Sequence, residues 1–239
     1  MGAHPGPEKG IPLRTSILSL TPAIALAGLL AGCASYSETR SDTFPSLWQV
    51  ENGQWQPLAD GGLQGGCETG SSGCRGDWAS INGRVPLPAN YRLGTTLTLQ
   101  DGVLAELMLD RTAQRYTRVY LYRIENKLAI GNGRSTADKA YGGKNVAKVP
   151  FQVETNRPYR VEITVCNRNL SVSIDGKRYL SGEPHDTRQR GTLGLAVNGR
   201  ARFDALRVTA LNRDECAPGD RFSHPEGMPM PAPFFVFSE

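Results

Sequence analysis

From Leu47 onward apolar and polar residues alternate at period two, in short runs separated by turn-forming dipeptides. Alternation of this kind turns successive side chains to opposite faces, so each run reads as a strand with one face in a core and one face out. Leu97 and Leu99 alternate with Thr96, Thr98 and Gln100 up to Asp101-Gly102, and Ala105, Leu107 and Leu109 follow on the next run. Tyr116 to Ile124 makes a long strand, and Lys127 to Ile130 a short one before Gly131-Asn132-Gly133. Tyr159, Val161, Ile163 and Val165 line one face of the next. Beyond Asn167-Arg168-Asn169 their partner carries Leu170, Val172 and Ile174, and ends at Asp175-Gly176. Leu193, Leu195 and Val197 run up to Asn198-Gly199, and Phe203, Leu206 and Val208 close the set. Asp-Gly and Asn-Gly are read as tight hairpin turns, because both residues tolerate positive φ. No stretch here has a convincing amphipathic helical pattern. Eight or more short strands with few helices predict an all-β, antiparallel sandwich, and 239 residues suffice for one domain with a full core.

The N-terminus carries a different signal. Lys9 and Arg14 precede an apolar run, Ile17 to Leu30, broken by Ser19, Thr21, Pro22 and Gly28, too short and interrupted to span a bilayer stably. Leu30-Ala31-Gly32-Cys33 then resembles the lipobox of bacterial lipoprotein leaders. That resemblance implies a diacylglyceryl thioether on Cys33, cleavage before it and membrane lipid as a partner through the acyl chains. The alternatives are an ordinary secretory signal or an uncleaved anchor. Ala34 in place of Asp after the cysteine resembles lipoproteins sent to the outer membrane of Gram-negative cells. The expected organisation is a signal peptide at 1–32, a flexible tether at 33–46, the sandwich at 47–213 and a Pro-rich aromatic tail at 214–239. That tail holds five prolines after Cys216 and ends Phe234-Phe235-Val236-Phe237. It is expected to pack across the sandwich or pair with an edge strand, or else to dock another envelope protein.

Removing 1–32 takes away Lys9, Arg14 and Glu8 and leaves 25 basic against 22 acidic side chains. So even a balance argues against a nucleic-acid partner, which calls for a strongly basic stripe. Five cysteines are odd in number, and lipidation of Cys33 would leave four: Cys67, Cys74, Cys166 and Cys216. In an oxidising compartment an even set pairs. Three connectivities are open; the expectation is Cys67–Cys74 around a flexible loop and Cys166–Cys216 tying a strand end to the tail. A zinc site is the rival, but the spacings lack C-x₂-C and only His4, His185 and His224 are there to help.

The run from Arg157 to Lys177, with its strand, turn and D-G-K hairpin, is followed by Gly191-Thr-Leu-Gly-Leu and Phe203-Asp-Ala-Leu-Arg-Val208. This order resembles the C-terminal half of concanavalin A-like jelly rolls, the laminin-G and lectin/glucanase superfamily, and most nearly envelope proteins similar to 3-keto-disaccharide hydrolase domains. Trp48 to Trp55 resembles their opening strand. The resemblance implies a jelly-roll β-sandwich; its core and turn residues carry no chemistry.

Glycanases on this fold use E-x-D-x-x-E, placing alternate carboxylates in one cleft. Here Glu106 and Asp110 stand four apart on one strand face without a third, and read as solvated strand residues. G-x-S-x-G, H-E-x-x-H, a phosphate-binding glycine loop and an EF-hand acid series are all missing from the sequence. His185 and His224 sit in Pro-flanked loops with no acid or nucleophile at fixed spacing. No catalytic residue, metal site or cofactor is assigned. Trp48, Trp55 and Trp78 are expected in the core. Tyr116, Arg118, Tyr120 and Tyr122 share one strand face, opposite Thr117, Val119, Leu121 and Arg123. Tyrosine faces stack on sugar rings and a guanidinium holds hydroxyls or carboxylates, so this row is the candidate glycan site. It should lie on an open concave face with Val119 and Leu121 in the core. The expectation is a lipid-anchored envelope protein carrying a non-catalytic glycan- or envelope-binding module. The alternatives are a hydrolase or lyase acting on a (3-keto-)disaccharide, and a structural protein docking a partner.

Overall fold

The computed structural model describes residues 1–2, 36, 39–67, 78–135, 140–141, 145–167, 169–182, 190–212 and 214–216. The chain divides into two compact units, Met1–Gly32 and Cys33–Glu239, and all that follows concerns the second. Residues 3–32 of the segment expected to be a signal peptide, Cys33, Cys74, His185, His224 and Phe234–Phe237 lie outside the described residues. One helical turn, α1 (Phe44–Leu47), leads into β1 (Trp48–Asn52), β2 (Gln54–Pro57), β3 (Leu63–Gly66) and β4 (Trp78–Pro86). The order continues with β5 (Tyr91–Arg111), β6 (Arg115–Tyr122), β7 (Lys127–Ser135), β8 (Ala140–Tyr141) and β9 (Asn145–Pro150). It closes with β10 (Pro158–Cys166), β11 (Asn169–Ile174), β12 (Lys177–Gly182) and β13 (Thr192–Ala210).

Two of these, β5 and β13, run 21 and 19 residues and belong to both layers. The second half of β5 pairs with β6, and its first half with β10. The first half of β13 pairs with β4, and its second half with β3. One layer therefore reads β1-β4-β13-β5-β6-β7-β9 and the other β2-β3-β13-β5-β10-β11-β12, all antiparallel. Leu107, Leu109 and Leu195 of the first layer share one core with Leu97, Phe203, Ile163 and Val172 of the second. This is the antiparallel sandwich that the alternation predicts.

The bend corrects the turn assignments. Asp101-Gly102 and Asn198-Gly199, expected to reverse the chain, each lie inside a long strand, and Gly199 is paired directly with Gly102. Both glycines have positive φ, at 92° and 102°. A Cβ on Gly102 would stand 2.1 Å from the Asn198 carbonyl oxygen, and one on Gly199 2.3 Å from that of Asp101. The two strands bend together because neither has a side chain where they cross. At Asp175-Gly176 both residues are left-handed, at 53° and 83°, and there the chain does turn back from β11 into β12. Gly131-Asn132-Gly133 is likewise no turn: it continues β7 beside Arg118, Thr117 and Tyr116. Phe203 and Leu206 both face the core at an odd spacing because the register shifts between Asp204 and Arg207, where Ala205 takes φ 49°.

Cys166 and Cys216 form the expected disulfide, with their Cα atoms 5.4 Å apart. Cys67 is also disulfide-bonded. Within the stretch read as a tether, Tyr36 and Thr39 are buried and pack near Trp48, and Trp48 and Trp55 belong to the core as expected.

Candidate functional site

Alternation along β6 sends Val119 and Leu121 into the inter-sheet core and Tyr116, Arg118, Tyr120 and Tyr122 to the face turned away from it. The partition of faces is the one expected. The openness is not: Arg118 is 2% exposed, Tyr120 1% and Tyr116 5%, while Tyr122 is half-buried. The physical reason is a second, smaller set of packed side chains on this outer face. Leu104 and Ala129 pack with Tyr120, Met108 and Ala196 with Tyr116, and Trp78 touches both groups. Trp78 therefore belongs to this face rather than to the inter-sheet core. Gly133 makes room for the row, since a Cβ there would meet the Tyr116 ring at 2.1 Å.

Glu106 of β5 stands on this same outer face. It is not a solvated strand residue but 2% exposed, facing Tyr120 across the β5–β6 ladder and ion-paired with the Arg118 guanidinium. Asp110 is buried too, with a positive φ of 51° at the end of β5. Next to it Arg111 pairs with Glu51 at 2.6 Å, again with little exposure of either side chain. The signal for this was present in the sequence: Leu104 to Leu109 is apolar on both strand faces around Glu106, the pattern of a strand buried on both sides.

Around the Glu106–Arg118 pair the groups interlock. The Arg118 guanidinium carbon lies 4.3 Å from the centre of the Tyr120 ring, a cation–π contact. The Tyr120 hydroxyl donates to Asn145 Oδ1 at 2.7 Å. Lys127 Nζ sits 5.0 Å over the Tyr122 ring and pairs with Glu125 at 2.7 Å. Burial pushes the Tyr120 hydroxyl up to about 12. Burial, and then the Glu106 charge beside it, hold Tyr116 well above the ordinary phenol range. Both tyrosines are thus neutral hydrogen-bonding groups at physiological pH. The Arg118 guanidinium stays charged, since the Glu106 carboxylate offsets its desolvation. Four buried atoms here carry no hydrogen-bond partner among the described residues: Glu106 Oε1, Arg118 Nε, Arg118 Nη1 and Asn145 Nδ2. All four atoms are out of contact with solvent, so the half-buried Trp78 and Tyr122, rather than these atoms, are what the face turns outward. Asn145, Lys127 and Trp78 are the members that sequence reasoning missed; Asn145 and Lys127 are contributed by strands whose pairing no local pattern reveals.

Among the described residues no group of three His, Cys, Asp or Glu is placed to hold a metal ion, and no helix is long and apolar enough to cross a membrane. A separate cleft of about 520 Å³ lies on the other layer at the strand bend, lined by Gln54, Gln56, Gln64, Asp101 and Arg200 among others.

No protein-family model matches the chain, and no curated protein is similar to it in sequence. Solved structures do share its fold. The carbohydrate-binding module CBM66 from Bacillus subtilis aligns at 15% identity and TM-score 0.55, over 68% of this chain and 95% of its own. A β-glucanase from Bacillus licheniformis aligns at 11% identity and TM-score 0.52, over 69% and 92%. A Bacillus subtilis protein of unknown function with a galectin-like fold aligns at 11% identity and TM-score 0.55, over 72% and 92%. The two strands shared between layers, the all-antiparallel pairing and these likenesses together establish that the strands from Trp48 to Ala210 form a concanavalin A-like jelly-roll sandwich.

Proposed function

We propose that this protein is a lipid-anchored envelope lipoprotein, acylated on Cys33, whose sandwich binds glycan on the outer face of the first layer without cleaving it. The observation that carries the reading is the half-buried aromatic pair Trp78 and Tyr122 on the outer face, beside the buried Glu106–Arg118 ion pair. The half-buried Trp78 and Tyr122 border the row with aromatic surface of the kind sugar rings stack on. A carbohydrate-binding module and a glucanase on the same fold support this class of ligand. The Arg118 ion pair supports binding over hydrolysis, because it engages the carboxylate that stands in this row. Ala34 after the acylated cysteine supports an outer-membrane location in a Gram-negative cell.

The test is a saccharide array read with the full-length, detergent-solubilised protein. Tyr122→Ala should weaken binding by about 1 kcal/mol, roughly five-fold, through loss of an aromatic contact, and leave the melting temperature nearly unchanged. Binding indifferent to Tyr122→Ala would put the glycan site elsewhere. Release of sugars from disaccharides by the unaltered protein would establish the hydrolase alternative instead.

A further inference from the structure

The chain is locked into the folded domain at Tyr36, three residue steps after Cys33. Tyr36 is 2% exposed, its ring centre lies 4.9 Å from that of Trp48, and its hydroxyl donates to the Val85 carbonyl at 2.8 Å. Gly83 accommodates it, since a Cβ at that position would stand 2.6 Å from the Tyr36 hydroxyl oxygen. Thr39 completes the lock: its hydroxyl donates to the Tyr36 carbonyl at 2.8 Å and accepts from Trp48 Nε1 at 3.1 Å. These contacts place Tyr36 at the end of β4 that carries Arg84, Val85 and Pro86.

Three Cα–Cα steps of 3.8 Å reach about 11 Å at full extension. The headgroup layer on one side of a bilayer takes up about 5–7 Å, so little chain is left over to lift the domain away. We propose that the sandwich is held flush against the bilayer, with the Tyr36 and Val85 end facing the headgroups. The inference rests on acylation of Cys33, which belongs to the functional reading above. It adds what that reading lacks: an orientation and an interaction surface whose partner is the membrane itself. Arg84 is exposed at this end and donates to the Pro45 and Trp48 carbonyls, and Arg40 and Asp42 are exposed in the segment between Thr39 and α1. The turn at Arg123 to Asn126, with Ile124 65% exposed, lies at the opposite end of the first layer, since Tyr122, Leu104, Asn198 and Trp78 occupy consecutive strands there. The nine residues of β4 set the two ends about 27 Å apart. A tether of the full 33–46 length would let the domain tumble; a three-step leash keeps one end down and presents the outer face within reach of glycan near the membrane.

The experiment uses the full-length acylated protein in phosphatidylethanolamine and phosphatidylglycerol liposomes carrying a headgroup-attached nitroxide quencher. A fluorescent amino acid replaces Arg84 in one preparation and Ile124 in another. With a leash of about 11 Å, quenching at 84 should exceed that at 124 by at least about three-fold. Inserting twenty Gly/Ser residues after Ala34 adds a coil of about 25 Å and should bring quenching at 84 down to the level at 124. Equal quenching at the two positions in protein that still floats with the liposomes would overturn the flush orientation while leaving acylation intact. Quenching at 84 that the insertion does not change would overturn the leash as its cause. Failure to float, or flotation unchanged by Cys33→Ala, would overturn the acylation reading and this inference with it.

Discussion

Glu106 and Arg118 place two opposite charges on a β-sheet at 2% side-chain exposure each. A pair of this kind gives up most of its hydration, and its net contribution to stability is small compared with the penalty for leaving one member alone. Glu106→Gln should therefore destabilise the protein by about 3 kcal/mol in urea unfolding, since it strands the Arg118 charge among Tyr116, Tyr120 and Met108. The double replacement Glu106→Leu with Arg118→Met should recover much of that loss. A double-mutant cycle showing additive effects would mean that the two side chains do not act as a unit. If the same double variant unfolds normally yet no longer binds saccharide, the pair is kept for recognition rather than for folding.

At the scale of elements, the same dipeptide type does two jobs. Asp175-Gly176 closes a hairpin because both residues are left-handed, whereas at Asp101-Gly102 and Asn198-Gly199 the glycine alone has positive φ and the strand carries on through a bend. The two settings respond differently to a methyl group. A Cβ on Gly176 would point into open space, so Gly176→Ala should cost only the left-handed strain of about 1 kcal/mol. Gly199→Ala adds a Cβ 2.3 Å from the Asp101 carbonyl oxygen on top of that strain. Its unfolding free energy should fall by clearly more than that of Gly176→Ala, and equal losses in paired urea titrations would contradict a sterically closed crossing. The disulfide between Cys166 and Cys216 closes a loop of 50 residues and ties the end of β10 to the chain beyond β13. Chain-entropy arguments give such a link on the order of 4 kcal/mol.

For the whole molecule, the proposed position in the cell depends on one atom, the Cys33 sulfur. Acyl chains contribute about 0.8 kcal/mol per buried CH₂, and two or more are needed for stable attachment. Cys33→Ala should therefore abolish labelling by a palmitate analogue and release the protein from the membrane fraction; label persisting on the variant would show that the lipobox reading is wrong. In the proposed membrane-proximal orientation, the outer face of the first layer would work on glycan at the envelope surface rather than on diffusing polymer.

The sequence by itself determined the fold class and, within the regular runs, which of two faces a strand residue occupies. Period-two alternation acts through local backbone geometry, so Leu97, Leu107, Ile163 and Val172 can be assigned to the core without knowing which strands pair. The Asp175-Gly176 hairpin was legible for the same reason. Tertiary structure decided the rest. Whether Asp101-Gly102 turns or bends depends on the glycine that lies opposite it some hundred residues later. Alternation put Tyr116, Arg118 and Tyr120 on the outer face but does not encode what packs beside them, and their burial comes from Leu104, Met108, Ala129, Ala196 and Trp78 on four other strands. Arg118 meets Glu106 only because β6 folds back on β5 in one register; a shift of one residue would turn Arg118 into the core and leave both charges without a partner.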